Sequence, residues 1–99
     1  MKQVSFKKAI QIVFPEATDI KLSKGYYYCS GFFNIGDQVY YISTMDLRTA
    51  DVNSTGVCGV MYRTAKDRKD YTGGTNTWDF NSKLQVKGYK IGSVPHKTC

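Results

Sequence analysis

The sequence predicts an α+β fold in which one N-terminal helix packs on an antiparallel sheet of four or five strands. Three observations lead to this fold class: an apolar stripe with helical spacing near the N-terminus, two β-rich runs joined by a glycine-containing turn, and further short strand-like runs in the second half. The chain has 99 residues, 41% of them apolar, which suffices for one domain with a modest core. We therefore expect residues 1–99 to form a single small basic domain, either a monomer or a homodimer.

The predicted helix comes from apolar residues at the i, i+3, i+4, i+7 and i+8 positions of one helical face: Phe6, Ala9, Ile10, Val13 and Phe14. Ser5 can cap its N-terminus, because a serine oxygen accepts a hydrogen bond from a free backbone N–H of the first turn. Pro15 disfavours helical geometry at Phe14, so the helix should end there. A helix of about ten residues is too short to persist alone and must pack on the sheet.

The strongest strand signal is a hairpin in which runs 26–33 and 38–45 are joined by a short turn. Symmetric closure around 35–36 would pair Phe32 with Val39 and would place aromatic side chains on both faces. One helix can cover only one face, which leaves the other to water or to a partner. Tyrosines are also good strand formers, so the same composition is compatible with no binding role.

The other predicted strands in the chain are short and lie on either side of polar segments: 20–22, 57–64 and 78–80. Residues 46–55 are polar and carry turn-forming side chains, so we expect a connection there. The segment 82–87 permits two interpretations: a short helical turn stopped by Gly88, or a strand at 83–86 that leads through a turn into a strand at 89–91. The alternation of apolar and polar residues favours the two strands.

Charge is the clearest functional signal in the composition. The chain carries 14 Lys and Arg against 8 Asp and Glu, a formal net charge of +6. The excess is +2 over residues 1–50 and +4 over residues 51–99. A positive surface attracts phosphate-bearing polymers, acidic protein surfaces and anionic membranes. Nucleic acid, alone or in a nucleoprotein complex, is therefore the leading predicted partner, and a charge that serves only solubility is the alternative.

The segment 63–78 concentrates this charge in a predicted loop between two strands. It contains four of the 14 basic residues, the single Trp and the Gly73-Gly74 pair. Cationic side chains can neutralise phosphates, and aromatic side chains can stack on bases or pack beside a sugar. The candidate nucleic-acid or partner contacts of this loop are Arg63, Lys66, Arg68, Lys69, Tyr71 and Trp78. The alternative is an exposed charged loop without a binding role.

The sequence contains no catalytic constellation, so we expect a non-enzymatic protein without a cofactor or a metal. His96, the single histidine, lies near the C-terminus in a segment that we expect to be loose, whereas acid-base catalysis needs a positioned group. His96 and Cys99 have the spacing of half a zinc site, but Cys29 and Cys58 would have to complete it from two strands, without a CxxC pair. Asp67 and Asp70 alternate with basic residues and are better explained by local charge pairing.

The cysteines and the N-terminus predict a location. Cys29, Cys58 and Cys99 are an odd count in a chain without a recognisable export signal, so we expect free thiols. Lys7 and Lys8 interrupt any signal-like apolar stretch at the N-terminus. No apolar run approaches the ~20 residues of a membrane-spanning helix. We therefore expect a cytoplasmic protein with no membrane partner.

Part of the second half resembles a known kind of DNA-binding sheet. Residues 53–62 (NSTGVCGVMY), Trp78 and residues 84–91 (LQVKGYKI) are similar to the three-stranded sheet of AP2-type and related integrase-arm domains. The resemblance covers under half of the chain and implies strands laid in the major groove of DNA. Those domains join their first two strands tightly and pack a helix after the third, whereas this chain has a long loop and its clear helix comes first.

In overall character, a free-standing basic α+β domain with the segment 63–76, the chain is similar to small accessory proteins encoded by bacteriophages. This resemblance implies binding to a host or phage nucleic-acid machine in the host cytoplasm. It also implies the alternative function, an inhibitor of a host defence or nucleic-acid-processing enzyme. Such an inhibitor would dock through the tyrosine-rich sheet face, with Tyr28 and Tyr41 as contacts. A virion or assembly component is a third possibility.

Overall fold

A computed structural model describes residues 2–24, 29–44, 60–72 and 74–91 of the chain. These residues form an α+β arrangement of two helices and six strands, and neither helix is long and apolar enough to cross a membrane. In chain order the elements are β1 (Lys2–Val4), α1 (Phe6–Val13), β2 (Ala17–Lys24), β3 (Cys29–Ile35), β4 (Gln38–Thr44), β5 (Val60–Ala65), α2 (Phe80–Val86) and β6 (Tyr89–Ile91). The predicted fold class is confirmed, whereas the prediction of a single helix is wrong.

Strands β2 to β5 form a four-stranded antiparallel sheet in which each strand pairs with its neighbour in sequence. The predicted antiparallel sheet is thus confirmed with four strands. Strands β1 and β6 form a separate, short parallel pair with Val4 opposite Ile91. The sequence did not predict this pair, because strands of three residues carry almost no periodic signal.

Helix α1 follows the pattern that its sequence predicts. The Ser5 side-chain oxygen accepts a hydrogen bond from the Lys8 N–H at 3.2 Å, which caps the first turn. At the other end the Phe14 N–H donates to the Ile10 carbonyl at 2.8 Å before Pro15 stops the helix. The apolar stripe of the helix packs into the core, which stabilises a helix too short to persist alone.

The hairpin of β3 and β4 is present, but its register differs by two residues from the predicted one. Gly36 and Asp37 form the turn, with Gly36 at a φ of 59°, and Phe32 pairs with Tyr41 instead of Val39. Glycine adopts positive φ readily, so the tight turn is centred one residue later than predicted. A shift of two residues keeps each side chain on its predicted face. The predicted division of the hairpin into two faces is therefore confirmed.

Both helices cover the same face of the four-stranded sheet. The core combines buried residues of the helices with alternate residues of the strands: Phe6, Ala9, Ile10, Cys29, Phe33, Ile42, Val60, Tyr62, Phe80, Leu84 and Ile91. The Phe14 ring joins helix and sheet, with its centroid 5.5 Å from that of Phe33 and 5.2 Å from that of Tyr62. Because the helices share one face, the opposite face of the sheet remains available for another role.

Helix α2 replaces two strands that the sequence predicted. Phe80 begins this helix instead of ending a strand at 78–80, and the predicted strand at 83–86 lies within it. Phe80 and Leu84 are buried one helical turn apart, whereas Val86 is exposed. The four-residue spacing of the buried Phe80 and Leu84 therefore agrees with a helix. The alternation of Leu84 with Val86, which had suggested a strand, does not correspond to a buried face.

The end of α2 follows the other interpretation of this segment, a helical turn stopped by Gly88. The Gly88 N–H donates to the Gln85 carbonyl at 2.9 Å, and Gly88 has a φ of 87°, a conformation that ends helices. The predicted strand at 89–91 is confirmed as β6. Its partner is β1 at the start of the chain and not a neighbouring strand at 83–86.

Cys29 is buried and disulfide-bonded, so the expectation of a free thiol is wrong for this residue. Cys58 and Cys99 lie outside the described residues, as do the predicted connection at 46–55 and residues 57–59 of the following predicted strand. Disulfides form and persist mainly in oxidising compartments. The cytoplasmic location of the protein therefore stays a prediction.

Candidate functional site

The face of the sheet opposite the helices, the open face, forms the candidate site. Directly paired residues point to the same face, so the strand register defines rows of side chains across it. The central row runs from β2 to β5 as Lys21, Phe32, Tyr41 and Arg63. The neighbouring row runs in the same direction as Ser23, Ser30, Ser43 and Met61. The open face therefore carries an aromatic and basic row beside a row of mostly small hydroxyl side chains.

Loop 66–72 follows β5 and folds back over the central row. The centroid of the Tyr71 ring lies 5.5 Å from that of Phe32 and 5.6 Å from that of Tyr41, and the latter two are 5.3 Å apart. In this aromatic triad Phe32 is only 6% exposed, whereas Tyr71 is 64% exposed. The basic loop and the tyrosine-rich hairpin thus lie on the same side of the sheet and form one surface.

Arg68 fastens the loop to the sheet. Its guanidinium donates to the Asp19 carbonyl at 2.7 Å and to the Asn34 side-chain oxygen at 2.6 Å. It also pairs with the Asp19 carboxylate at 3.2 Å and donates to the Phe32 carbonyl at 3.4 Å. The planar guanidinium presents several donors at fixed angles, so one side chain joins the loop to β2 and β3 together. Arg68, predicted as a phosphate contact, is a structural anchor of the loop.

The Asp19 side of this anchor depends on an irregularity in β2. Asp19 has a φ of 52°, and the pairing of β2 with β3 shifts register around it. Just beyond the shift, the two strands approach closely at Gly31. A Cβ atom at Gly31 would overlap the carbonyl oxygen of Lys21 and would lie 2.9 Å from the Cα of Leu22. Glycine at this position therefore permits the strand geometry that presents Asp19 to the loop.

Arg63 lies beneath the loop instead of projecting into solvent. The residue is only 5% exposed, and its guanidinium carbon is 4.6 Å from the centroid of the Tyr41 ring. A second contact is a hydrogen bond of 3.4 Å to the Asp70 carbonyl. A cation over an aromatic face is attracted by the quadrupole of the ring. Arg63 therefore holds Tyr41 and the loop in place. Although the residue is buried, its charge adds to the positive potential of the open face.

The two carboxylates of the loop shape its backbone. Asp67 accepts a hydrogen bond from the Lys69 N–H at 2.8 Å. Asp70 accepts hydrogen bonds from the N–H groups of Lys66 and Thr72, both at 3.0 Å. Such contacts between aspartate and nearby backbone are typical of turns. Among the residues that the structure describes, no group of three or more His, Cys, Asp or Glu could hold a metal ion.

The predicted contacts that face solvent on the loop are two lysines and one tyrosine. Lys66 and Lys69 are exposed, and they share the short loop with the exposed ring of Tyr71. Lys21 is also exposed, at the β2 end of the central row. The sequence did not mark Lys21 as a candidate, because nothing local indicates that β2 brings it into line with the aromatic triad.

Trp78 and Tyr28 are not brought into the aromatic triad by the described residues. Trp78 is 46% exposed and follows Thr77, which pairs with Tyr62 at the edge of β5. No ring contact joins Trp78 to the triad within the described ranges. Tyr28 lies outside those ranges. The proposed roles of both residues stay predictions.

A groove of about 420 Å³ lies beside the loop at the end of the sheet. Its lining is mostly polar and consists of Asp37, Gln38, Val39, Thr64, Ala65, Lys66, Asp70 and Gly74. The Gln38 side chain donates to the Ala65 carbonyl at 3.0 Å and thereby joins the start of β4 to the end of β5. Lys66 belongs to both the groove and the loop, and Asp37 and Asp70 lie beside it in the lining, so the groove carries charges of both signs.

A second polar cluster joins β5 to α2 on the face that the helices cover. The Tyr62 hydroxyl donates to the Asp79 carboxylate at 2.6 Å, and the Lys83 ammonium lies 3.4 Å from the oxygens of both residues. Burial raises the pKa of Tyr62 above its ordinary value of 10.0, and the hydrogen bond to Asp79 raises it further. The hydrogen bond to Tyr62 raises the pKa of Lys83 above 10.5. This cluster is a structural link that no sequence pattern indicated.

Alkaline pH is expected to weaken this link. A group whose pKa is higher in the folded chain contributes stability below its unfolded pKa and loses it as the pH rises through the folded pKa. The free energy of unfolding should therefore fall as the pH rises above 10.0. The Tyr62→Phe variant should show a smaller fall, because phenylalanine has no hydroxyl group to titrate. Urea titrations between about pH 8 and 11 measure the difference. Parallel pH profiles for the two proteins would contradict this role of Tyr62.

No protein-family model, curated protein or solved structure matches the chain significantly. The resemblances noted in its sequence therefore stay predictions. The fold also differs from the sheet of AP2-type domains. Residues 84–91 form the end of α2 and β6, and they do not add a third strand beside β5 in the four-stranded sheet. The chemistry of the open face is the basis on which a function can be inferred.

Proposed function

We propose that the protein binds nucleic acid, alone or within a nucleoprotein complex, and catalyses no reaction. The observation that carries the proposal is the exposed Tyr71 ring on the same short loop as the exposed lysines Lys66 and Lys69. Ammonium groups neutralise phosphates, and an exposed ring can pack on a base or a sugar. The net charge of +6 adds a long-range attraction for a polyanion.

The lysines and the arginines have different roles in this proposal. Both guanidiniums are engaged by protein groups, Arg68 by Asp19 and Asn34 and Arg63 by the Tyr41 ring. They hold the loop in place and add to the positive potential of the surface. Direct phosphate contact is therefore assigned to the exposed lysines of the loop and to Lys21 on β2.

Removal of charge from the loop tests the proposal. We expect the double variant Lys66→Ala/Lys69→Ala to bind a labelled oligonucleotide more weakly and with a flatter salt dependence. Two lost phosphate contacts should reduce the slope of log K against log salt concentration by about 1.4 to 1.8. Fluorescence anisotropy over a series of salt concentrations measures both the affinity and the slope.

The matched control is the double variant Lys7→Ala/Lys8→Ala. It removes the same charge from exposed positions of α1, on the opposite side of the sheet. This control should change the affinity only slightly, through the net charge. Equal effects of the two double variants would contradict a site on the open face. No detectable binding of any nucleic acid at low salt would overturn the proposal as a whole.

A protein partner is the second candidate, because the open face is apolar as well as basic. Tyr41, Val39 and Met61 are half-buried on this face beside the exposed Tyr71. Surfaces that mix aromatic and apolar side chains occur at the centres of protein interfaces. In that case a defined host protein should be captured after nuclease treatment and lost on replacement of Tyr41. Loss of the captured protein on nuclease treatment would favour nucleic acid.

A further inference from the structure

We infer that the bound nucleic acid is single-stranded, with an unpaired base stacked on the ring of Tyr71. This inference rests on the proposed function and specifies the form of nucleic acid that the open face accepts. The Phe32 and Tyr41 rings meet the Tyr71 ring at steep angles of 68° and 77°, so neither of them is stacked on it. The Tyr71 side chain is still mainly exposed, which leaves ring surface for a base.

A base can stack on a protein ring only after it leaves the stack of a duplex. Within a double helix the neighbouring base pairs cover both faces of each base, and only the edges in the grooves are accessible. Proteins that bind single strands combine aromatic platforms with a positively charged track for the backbone. Tyr71, together with Lys66 and Lys69, provides this combination on loop 66–72.

The shape of the open face is unfavourable for a duplex. Loop 66–72 covers the strands that would have to enter a major groove, and Arg68 ties the loop down to β2 and β3. Among the described residues, the guanidiniums of Arg63 and Arg68 are the groups best suited to recognise guanine edges, but protein groups already engage them. Lysines contact phosphate as point charges. The surface therefore suits backbone and stacking contacts and not recognition in a groove.

The rows of the open face provide a path for one strand. Lys21 is exposed on β2 at one edge of the sheet, and Lys66 directly follows β5, which forms the other edge. Neighbouring strands are about 4.8 Å apart, so the four strands span about 14 Å. The aromatic triad lies between these two cations, and the row of serines beside it adds hydroxyl groups with little bulk. Such a path fits a short stretch of extended backbone with a base on Tyr71.

The test compares four oligonucleotides of equal length by fluorescence anisotropy at one salt concentration. They are oligo(dT), oligo(U), a mixed-sequence DNA strand and the same DNA strand annealed to its complement. The two homopolymers distinguish DNA from RNA as the source of the single strand. We expect the wild-type protein to bind at least one single strand about tenfold or more tightly than the duplex.

Three variants assign the binding to the Tyr71 ring. Tyr71→Leu keeps an apolar side chain without a π-face, and we expect about 5- to 150-fold weaker single-strand binding with an unchanged salt slope. Tyr71→Phe keeps the ring and should stay within about threefold of the wild type. Val86→Ala is the control, since it removes an exposed apolar side chain of α2, away from the open face and its loop. Thermal unfolding of each variant establishes that the fold is retained.

The outcomes separate this inference from the proposed function. Duplex binding as tight as single-strand binding would overturn the inference and leave the proposed function in place. Full single-strand affinity in Tyr71→Leu, or an equal loss in Val86→Ala, would also overturn it. Absence of binding to all four oligonucleotides would instead remove the proposed function itself.

Discussion

Replacing Arg68 with alanine is expected to release loop 66–72 from the sheet and to lower the free energy of unfolding by about 2 kcal/mol. The guanidinium makes hydrogen bonds to the backbone of Asp19 and to the side chain of Asn34, besides its ion pair with Asp19. Hydrogen bonds with a charged partner contribute about 1.5–3 kcal/mol, and the exposed part of the ion pair adds little. Without the anchor, Tyr71 loses its fixed position, so oligonucleotide affinity should fall as well.

The Arg68→Lys variant distinguishes two contributions of Arg68 to binding: the anchoring of loop 66–72 and the positive charge. Lysine keeps the positive charge but lacks the planar set of donors that reaches Asp19 and Asn34 together. Stability and affinity should therefore resemble those of the alanine variant. Urea titration measures the first quantity, and fluorescence anisotropy measures the second. An Arg68→Lys variant with wild-type affinity would mean that Arg68 acts as a charge and not as an anchor.

Gly31→Ala is expected to destabilise the protein by about 3 kcal/mol or more, a large effect for one added methyl group. The new Cβ would meet the backbone of Lys21 and Leu22, and backbone atoms cannot rotate away as the end of a long side chain can. The β2 strand must then shift away from β3, which disturbs the irregularity at Asp19. Urea titration measures the loss of stability, and hydrogen exchange should show weaker protection of the β2 amides.

Gly36→Ala is the matched control for Gly31→Ala. No atom lies within 4 Å of a Cβ at Gly36, although its φ of 59° is unfavourable for alanine. The expected loss of about 1 kcal/mol comes from backbone strain alone. A loss at Gly31 no larger than the loss at Gly36 would contradict the close approach of β2 and β3.

The elements that could be predicted from the sequence are those with local signals. Helix α1 has an apolar stripe, a serine cap and a proline stop, and all of these act within a few residues of each other. The hairpin has two β-rich runs and a glycine turn, and period two fixes its faces even when the turn is misplaced by one residue. The register of β3 with β4 depends on the conformation of Gly36. It is therefore set by the turn, and the two β-rich runs alone do not determine it.

The elements that could not be predicted are short or depend on distant partners. The segment of α2 carries Leu84 and Val86 at strand spacing, and only the buried surface near Phe80 selects a helix. Strands β1 and β6 have three residues each and pair across nearly the whole chain. Period alone does not distinguish a helix from a strand in apolar runs this short.

The candidate site divides in the same way. Composition correctly marked the loop as exposed at Lys66, Lys69 and Tyr71. The sequence could not show that Arg68 would be engaged by Asp19, because 49 residues separate the two and the contact depends on the β2 irregularity. A charged residue in a loop can therefore either stabilise the fold or bind a ligand. Only its tertiary contacts show which of these two roles it has.

The most direct test of the central claim, that the open face and its loop bind nucleic acid, is a map of amide chemical-shift changes. A short single-stranded oligonucleotide is titrated into labelled protein at low salt, and the amide resonances of the backbone are followed. We predict that the largest chemical-shift changes fall on the amides of loop 66–72 and of β3 and β4 around Phe32 and Tyr41. The amide resonances of α1 around Lys7 should not shift. Changes confined to the helices, or no changes at all, would contradict the claim.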